Sequence, residues 1–178
     1  FGPLLFEVDN SFGGVAGNFS SGAARAVGVS YATGPVAIGG VYGHRSVLTG
    51  STYLGDSYYM VGASYKIGPV RLSGGFMSED LQNPATPHQV TNNGFGGLSW
   101  TITPTLVFRG SYYQTTVTND KSSRRGLSVL SLGYLLSKRT TLYSELDYTS
   151  YKHGVVSTLN PAGVKSQTAF TIGIDHLF

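Results

Sequence analysis

The sequence contains no cysteine and few charged residues, and each scarcity removes a class of protein. Without cysteine, the 178 residues can form no disulfide framework, no thiolate metal site and no thiol nucleophile. Charged residues make up 12% of the chain, the net charge is +3, and no run of Lys or Arg is longer than two residues. That is too little positive charge for a nucleic-acid-binding surface, and it implies at most a mild preference for anions.

Long apolar segments are missing as well. No stretch approaches the roughly 18 to 20 consecutive apolar residues that a transmembrane helix needs. The chain begins at Phe1 without Met or a charged and apolar leader, so we expect a processed chain or a piece of a longer one. The abundant residues include 25 Gly, 12 Tyr and 9 Phe, which form helices poorly and favour an all-β protein with many aromatic-rich strands.

Apolar residues alternate with small and polar residues at a period of two, as expected for strands with two different faces. In residues 169–178, Phe170 and Ile172 share one face, and Thr171 and Asp175 lie on the other. The pattern repeats over 104–114, 126–137 and 141–151, and further strands are expected at 1–8, 25–33, 35–44, 57–67, 69–77 and 92–101. The sequence therefore predicts about ten strands.

The connections between these strands alternate in length. Short joints lie at 32–35, 66–69, 101–104 and 137–140, and longer polar stretches lie at 10–24, 45–56, 78–91, 115–125 and 152–167. This alternation predicts consecutive hairpins whose turns share one end of the sheet and whose loops share the other.

Aromatic residues lie close to the short joints. Five of them are within a few residues of a joint or of the C-terminus: Tyr31, Tyr65, Trp100, Tyr134 and Phe178. Such positions match the aromatic girdle at a membrane interface, whereas a soluble β-sandwich has no general need for them. We therefore favour a transmembrane antiparallel β-barrel, since strands in a bilayer can pair all their backbone groups only by closing into a barrel.

The face opposite to the apolar residues is rich in Gly, Ser and Thr and carries charges, which indicates a wall around a wide aqueous lumen. The candidate pore-lining residues on it are Arg45, Lys66, Arg71, Arg109, Glu145, Asp147 and Asp175. Their basic and acidic members would lie on different strands and create a transverse field that orients polar solutes. An equally open alternative is that each is a solvated wall residue without a special role.

Enzymatic and metal sites are poorly supported by the residues. Asp175 and His176 are neighbours in one strand, so they point to opposite faces and cannot belong to one catalytic triad. Glu145 and Asp147 share a face, but a water-filled lumen offers neither the desolvation nor the sugar cleft that a glycosidase pair needs. Acidic loop residues at 78–80 and 119–120 could contact divalent cations, which is a weak signal. We expect no catalytic residue, no metal site and no cofactor.

Several segments resemble one known family. The run GYLLSKRTTLY at 133–143 and the ending GIDHLF at 173–178 resemble the closing strands of trimeric Gram-negative porins, especially those of β-proteobacteria. The turns YATGPV at 31–36 and YKIGPV at 65–70 resemble periplasmic turns of that family. The terminal Phe178 resembles the signal that the outer-membrane assembly machinery reads.

The resemblance implies a sixteen-stranded barrel that assembles as a homotrimer. Residues 1–178 would then be a single segment supplying the last ten strands, without the N-terminal strands and the constriction loop. The implied function is a non-enzymatic, water-filled channel for passive diffusion of small hydrophilic solutes and ions across the bacterial outer membrane. Its partners would be outer-membrane lipid, lipopolysaccharide and the assembly machinery, with no nucleic acid. The alternative is a structural anchor or adhesin with a plugged lumen, which predicts bulky side chains on the inward face.

Overall fold

The computed structural model describes residues 3–82, 89–118, 123–152, 156–157 and 159–177, and its regular structure consists of ten strands. They are β1 (Leu4–Ser11), β2 (Ala24–Thr33), β3 (Val36–Thr49), β4 (Thr52–Ile67), β5 (Val70–Gln82), β6 (Gln89–Thr103), β7 (Leu106–Val117), β8 (Arg124–Ser137), β9 (Thr140–Tyr151) and β10 (Ser166–His176). The predicted all-β fold is confirmed. No helix in these parts of the chain is long and apolar enough to cross a membrane.

The strands form one antiparallel sheet in which each strand pairs with its neighbours in the chain, in the order β1 to β10. In the β3–β4 pair, for example, the register runs without interruption from Thr49 opposite Thr52 to Val36 opposite Tyr65. Backbone groups of the inner strands therefore find their partners within the sheet, which is the requirement for crossing a bilayer. Among the described residues β1 and β10 do not pair with each other, so this sheet is an open section of wall.

Two of the short turns contain a Gly-Pro pair. Gly34 and Gly68 have φ values of 52° and 54°, a left-handed conformation that Gly adopts without the steric cost other residues bear. Proline fixes φ near −65° at the next position, so each pair forms a type II′ turn, whose twist matches that of the strands it joins. The ladder closes directly on the first of these turns, with Thr33 opposite Val36.

Two other short turns are held by side-chain hydroxyls. Thr103 Oγ1 accepts hydrogen bonds from the backbone N–H groups of Thr105 and Leu106, at 3.3 and 3.0 Å. Ser137 Oγ accepts one from the N–H of Arg139 at 3.1 Å. The ladder shifts its register beside both turns, so an irregularity in the strand pairing accompanies each of them.

Two connections that the sequence predicts as long loops are largely strand. A loop is predicted over 45–56, but β3 continues to Thr49, β4 begins at Thr52, and a two-residue turn with Gly50 at a φ of 63° joins them. Strand β5 likewise continues into the predicted loop 78–91. The strands are longer than predicted because their polar ends pair as regularly as their apolar parts, and hydrophobic alternation does not report that pairing.

The register divides the sheet into an apolar face and a polar face, because residues directly opposite each other in neighbouring strands share a face. We call the end with the Gly-Pro turns the turn end and the opposite end the loop end. Exposed aromatic side chains form two rows on the apolar face. The turn-end row is Tyr31, Tyr65, Trp100 and Tyr134, and the loop-end row is Tyr42, Tyr59, Phe76, Tyr112 and Tyr148. The fifth predicted girdle residue, Phe178, lies outside the described residues.

The segment between the two aromatic rows is apolar. Exposed Val, Leu and Ile side chains occupy it, among them Val61 and Leu130. Tyr59 and Phe76 of the loop-end row are in contact, with ring centroids 6.0 Å apart. This arrangement, apolar residues bounded by aromatic rings, is the surface that a membrane barrel presents to lipid.

We predict that a charge on the apolar face destabilises the protein far more than the same charge one residue away on the polar face. Leu130→Arg places a cation in the middle of the apolar face and should lower the free energy of unfolding in lipid vesicles by about 2–4 kcal/mol. Val129→Arg places it on the polar face, opposite Asp147, and should change that free energy by less than about 1 kcal/mol. Equal losses in denaturant titrations of the full-length protein would contradict this assignment of faces.

Candidate functional site

The seven charged residues that the sequence predicts for the pore wall all lie on the polar face. They are Arg45, Lys66, Arg71, Arg109, Glu145, Asp147 and Asp175. Lys66 is opposite Arg71, and Arg71 and Arg109 are both opposite Ser99, so three cations occupy one row across the sheet. With neighbouring strands about 4.8 Å apart, the Cα atoms of Arg71 and Arg109 are separated by about 10 Å.

We call Lys66, Arg71 and Arg109 the basic sector. All three residues are exposed, and no carboxylate of the described residues lies within ion-pair distance of them. Arg71 Nη1 donates a hydrogen bond to Ser64 Oγ at 3.0 Å. Arg109 reaches over the neighbouring strand, where a Cβ atom at Gly133 would lie 3.8 Å from Arg109 Nη1. Among the described residues, the positive charge of this sector is therefore exposed and not neutralised by an ion pair.

The acidic candidates lie on the last two strands and are not gathered into one site. Glu145 belongs to the same row as the basic sector, two strands beyond it, and Asp147 follows two residues later in β9. Asp175 lies nearer the turn end of β10. Two further carboxylates share this face, Glu7 and Asp9 of β1, and neither is among the residues predicted from the sequence. They are two residues apart in one strand, and that spacing indicates that both lie on the same face.

A compact charge cluster lies at the loop end of the polar face. Arg45 Nε donates to Asp56 Oδ2 at 2.6 Å, and Arg45 Nη2 donates to Glu79 Oε1. The guanidinium also lies 5.5 Å from the centre of the Tyr58 ring. Asp56 is only 1% exposed, so this carboxylate depends on Arg45 for neutralisation. We call Arg45, Asp56 and Glu79 the rim cluster.

Of the three members of the rim cluster, only Arg45 is among the pore-lining residues predicted from the sequence. The sequence predicts Asp56 and Glu79 in the loops 45–56 and 78–91, whereas the structure places both in strands. Glu79 lies at an odd position of β5, as Arg71 does, so the period of two extended past the predicted end of the strand. Neither the partnership with Arg45 nor the burial of Asp56 follows from that period, because both depend on the register of three strands.

Aromatic rings on the polar face lie flat against the sheet. The pairs are Tyr58 over Gly43, Phe95 over Gly75 and Tyr143 over Gly173. A Cβ atom at these glycines would lie only 2.4 to 2.5 Å from the Cζ atom of the covering ring. Glycine on the neighbouring strand therefore provides the space in which each ring lies along the wall instead of projecting from it.

One histidine contacts a serine, but the pair does not have the surroundings of a catalytic triad. His44 Nδ1 lies 2.9 Å from Ser57 Oγ on the apolar face. The residue opposite His44 on its other side is Arg25, a cation instead of the carboxylate that orients a catalytic imidazole. Asp175 and His176 point to opposite faces, as predicted. Within the described parts of the chain, no group of three or more His, Asp or Glu side chains could hold a metal ion.

We predict that Arg45 stabilises the loop end by neutralising Asp56. Arg45→Gln leaves the buried carboxylate without its charged partner and should lower the free energy of unfolding by about 1–3 kcal/mol. Arg71→Gln is the matched control, because Arg71 is exposed and donates to a serine, and it should cost less than about 0.5 kcal/mol. Denaturant unfolding of the full-length protein measures both losses. The idea fails if the first loss is no larger than the second.

Comparison with solved structures identifies the fold. The chain superposes on the anion-selective porin from Comamonas acidovorans with a TM-score of 0.87 and 23% identity, covering 100% of this chain and 57% of that one. A loop-deletion variant of the outer-membrane protein OmpT of Vibrio cholerae gives 0.72 and 15%, covering 96% and 58%. An in-vitro folded trimer form of that protein gives 0.62 and 15%, covering 97% and 64%. The chain therefore spans less than two thirds of each of these structures.

Comparison with protein families is consistent with this fold. No curated protein sequence matches the chain. The family model of Gram-negative porins matches residues 2–154, which is most of its length. The ten-stranded sheet is thus part of an outer-membrane β-barrel, and the chain belongs to the Gram-negative porin family.

Proposed function

We propose that the polar face lines a water-filled channel through which small hydrophilic solutes and ions diffuse passively across the outer membrane. The observation that carries this proposal is the contrast between the two faces of one wall. One face presents exposed aromatic rows, and the other presents the exposed cations of the basic sector and rings lying flat on glycine. Exposed charges on a membrane wall are stable only against water, so water on this side and lipid on the other make a pore.

We further propose a weak preference for anions. The basic sector brings three positive charges into one row, and the acidic residues of this face lie on other strands or in the rim cluster. A row of positive charges raises the local concentration of anions beside it in an aqueous pore. The porin from Comamonas acidovorans is described as anion-selective, which agrees with this direction. In this proposal the seven predicted residues line the lumen, and their basic and acidic members set its transverse field.

The proposed assembly is a homotrimer of sixteen-stranded barrels, in which residues 1–178 form one segment and the N-terminal strands and constriction loop lie elsewhere in the protein. One of the similar solved structures is a trimer form. Outer-membrane lipid and lipopolysaccharide would cover the apolar face. Phe178, which lies outside the described residues, is the proposed signal for the assembly machinery.

The alternative is a structural anchor or adhesin with a plugged lumen. It requires bulky side chains that project from the polar face. The rings of Tyr58, Phe95 and Tyr143 lie along the wall instead, and many of the residues around them are Gly or Ser. Family and fold favour a channel over an enzyme, and we propose no catalytic activity.

Single-channel recording of the purified full-length protein in planar bilayers tests the channel itself. A water-filled pore should show a conductance that rises in proportion to the bulk salt concentration, and a trimer should insert with conductance steps in groups of three. Folded protein that inserts without conductance would overturn the pore and support the plugged anchor.

We predict that the basic sector sets the ion preference. Arg71→Glu combined with Arg109→Glu changes the wall by four charge units, and each unit contributes about 0.5 kcal/mol at about 8 Å in water before screening. After screening, the ratio of anion to cation permeability should fall by roughly tenfold. Reversal potentials in a salt gradient measure this ratio. The matched control is Lys138→Glu with Arg139→Glu at a short turn, and unchanged potentials in the first variant would refute the role of the sector.

A further inference from the structure

The polar face carries an apolar trough that the proposed ion preference does not use. It is a cavity of about 480 Å³ over strands β1 to β4. Ser30 of β2 is opposite Gly39 of β3, and Gly39 is opposite Gly62 of β4, so residues with small side chains or none cross the sheet in one row. Gly28 lies beside this row and lines the same cavity. We call the cavity the glycine trough.

Apolar side chains form the sides of the glycine trough. Leu5 of β1 lies at one end of its floor. Val41 and Met60, which are opposite each other, flank the floor. A Cβ atom at Gly62 would lie 4.0 Å from Phe95 Cζ, so the Phe95 ring reaches from β6 across β5 to the other end of the floor. Such a lining fits an apolar group, and the Phe95 ring can pack against a second ring.

Two carboxylates border the glycine trough on β1. Glu7 is opposite Gly28 and Asp9 is opposite Ala26, so both carboxylates share the polar face with the floor. Glu7 and Asp9 are exposed, and no Lys or Arg of the described residues lies within ion-pair distance of them. Their Cα atoms are separated by about 7 Å, which lets both approach one cationic group. The trough therefore combines an apolar floor with negative charge along one side.

The glycine trough lies at the middle of the wall's height, on the side away from lipid. In β4, Gly62 is midway between Tyr59 of the loop-end row and Tyr65 of the turn-end row. Lipid covers the opposite, apolar face at this depth, so lipid contact does not account for apolar residues in the trough. A ligand can reach them only through the space that the polar face borders. Access by dissolved molecules therefore rests on the proposed channel.

We propose that the glycine trough binds an amphipathic organic cation, an amine with an aromatic or aliphatic body. The body lies along the glycine floor between Leu5 and Phe95, and the ammonium group pairs with Glu7 and Asp9. From Leu5 to Gly62 the floor spans three strand spacings, about 14 Å between Cα atoms. That length accommodates a phenyl ring with a short alkyl chain and a terminal amine.

Two other classes of ligand match the glycine trough less well. A sugar needs many hydrogen-bonding partners, but of the described side chains that line the trough only Glu7, Asp9 and Ser30 are polar. A divalent cation needs six or more oxygen ligands, and the described parts of the chain contain no group of three His, Asp or Glu side chains that could hold a metal ion. An amine uses both the apolar floor and the two carboxylates.

Isothermal titration calorimetry of the full-length protein in phosphatidylcholine nanodiscs tests this site. The probe is 4-phenylbutylamine, and empty nanodiscs correct for its partitioning into lipid. The comparison compounds are 4-phenylbutanol, which lacks the charge, and butylamine, which lacks the ring. We expect saturable binding of 4-phenylbutylamine and binding at least about tenfold weaker for each comparison compound, because each loses one of the two interactions.

Three variants locate the binding. Glu7→Gln with Asp9→Asn should weaken binding of 4-phenylbutylamine by about tenfold. The matched control is Glu145→Gln with Asp147→Asn, which removes two carboxylates at the same spacing from the polar face of β9 and should bind the amine as the unchanged protein does. Gly28→Leu fills the trough and should abolish binding. A Cβ atom at Gly28 has no neighbour closer than 3.6 Å, so the new side chain enters the trough without displacing the backbone.

The proposal fails if 4-phenylbutanol binds as tightly as 4-phenylbutylamine, or if the variant in β1 and the control in β9 lose binding equally. It also fails if the folded, unchanged protein shows no saturable binding, as it would if another part of the full-length chain covered the trough. Heat-dependent electrophoretic mobility verifies folding, and the β1 variant keeps the test decisive if Gly28→Leu does not fold. Conductance of the same preparation separates the two proposals. Saturable binding without conductance supports the trough and refutes the channel, and conductance without binding does the reverse.

Discussion

Pairing of the backbone N–H and C=O groups between neighbouring strands is the constraint on which the rest of this wall depends. Hydrocarbon offers these groups no partner, and each unpaired group in it costs several kcal/mol. The continuous ladder from β1 to β10 meets the constraint, and the turns preserve it by reversing the chain within two residues. Gly34 does so through its left-handed backbone and Thr103 through its hydroxyl. The outer edges of β1 and β10 can meet the same requirement in a membrane only by pairing with further strands, which supports the proposed larger barrel.

Once the strand pairing is fixed, the direction of every side chain follows from its position in the strand. Successive residues point to opposite faces, so apolar and polar side chains alternate along each strand. Leu130 meets lipid while Ser131, its neighbour, shares the polar face with Arg109 and Glu145. A one-residue shift of a strand would move its apolar residues to the polar face and its polar residues to the apolar face, so the register determines the composition of both faces. Glycine also determines how far aromatic side chains project from the polar face. Because Gly43 has no Cβ atom, the ring of Tyr58 can lie against the sheet at that position.

Much of this arrangement could be predicted from the sequence, because it depends on a period of two and on turn chemistry. The face of each predicted pore residue and the turn-end joints follow from those local signals, as Lys66 and the Gly-Pro turn beside it illustrate. The lengths of β3, β4 and β5 did not follow, because their polar ends carry no hydrophobic alternation. Side-chain contacts between strands could not be predicted from the sequence either. The bond from Arg45 to Glu79 joins residues 34 positions apart, and only the register of three strands brings them together.

At the loop end the sheet carries charge on both of its faces. In β8 the apolar face changes from Leu132 and Leu130 to Ser128, Gly126 and Arg124, so the strand continues after its contact with hydrocarbon has ended. Beyond that boundary neither face is required to be apolar, and backbone pairing alone maintains the sheet. Charged residues can then occupy both faces of this single sheet. Arg45 is an example on the polar face, and Arg124 is an example on the apolar face. The loop end of the wall is therefore the region where backbone pairing continues while both faces carry polar residues.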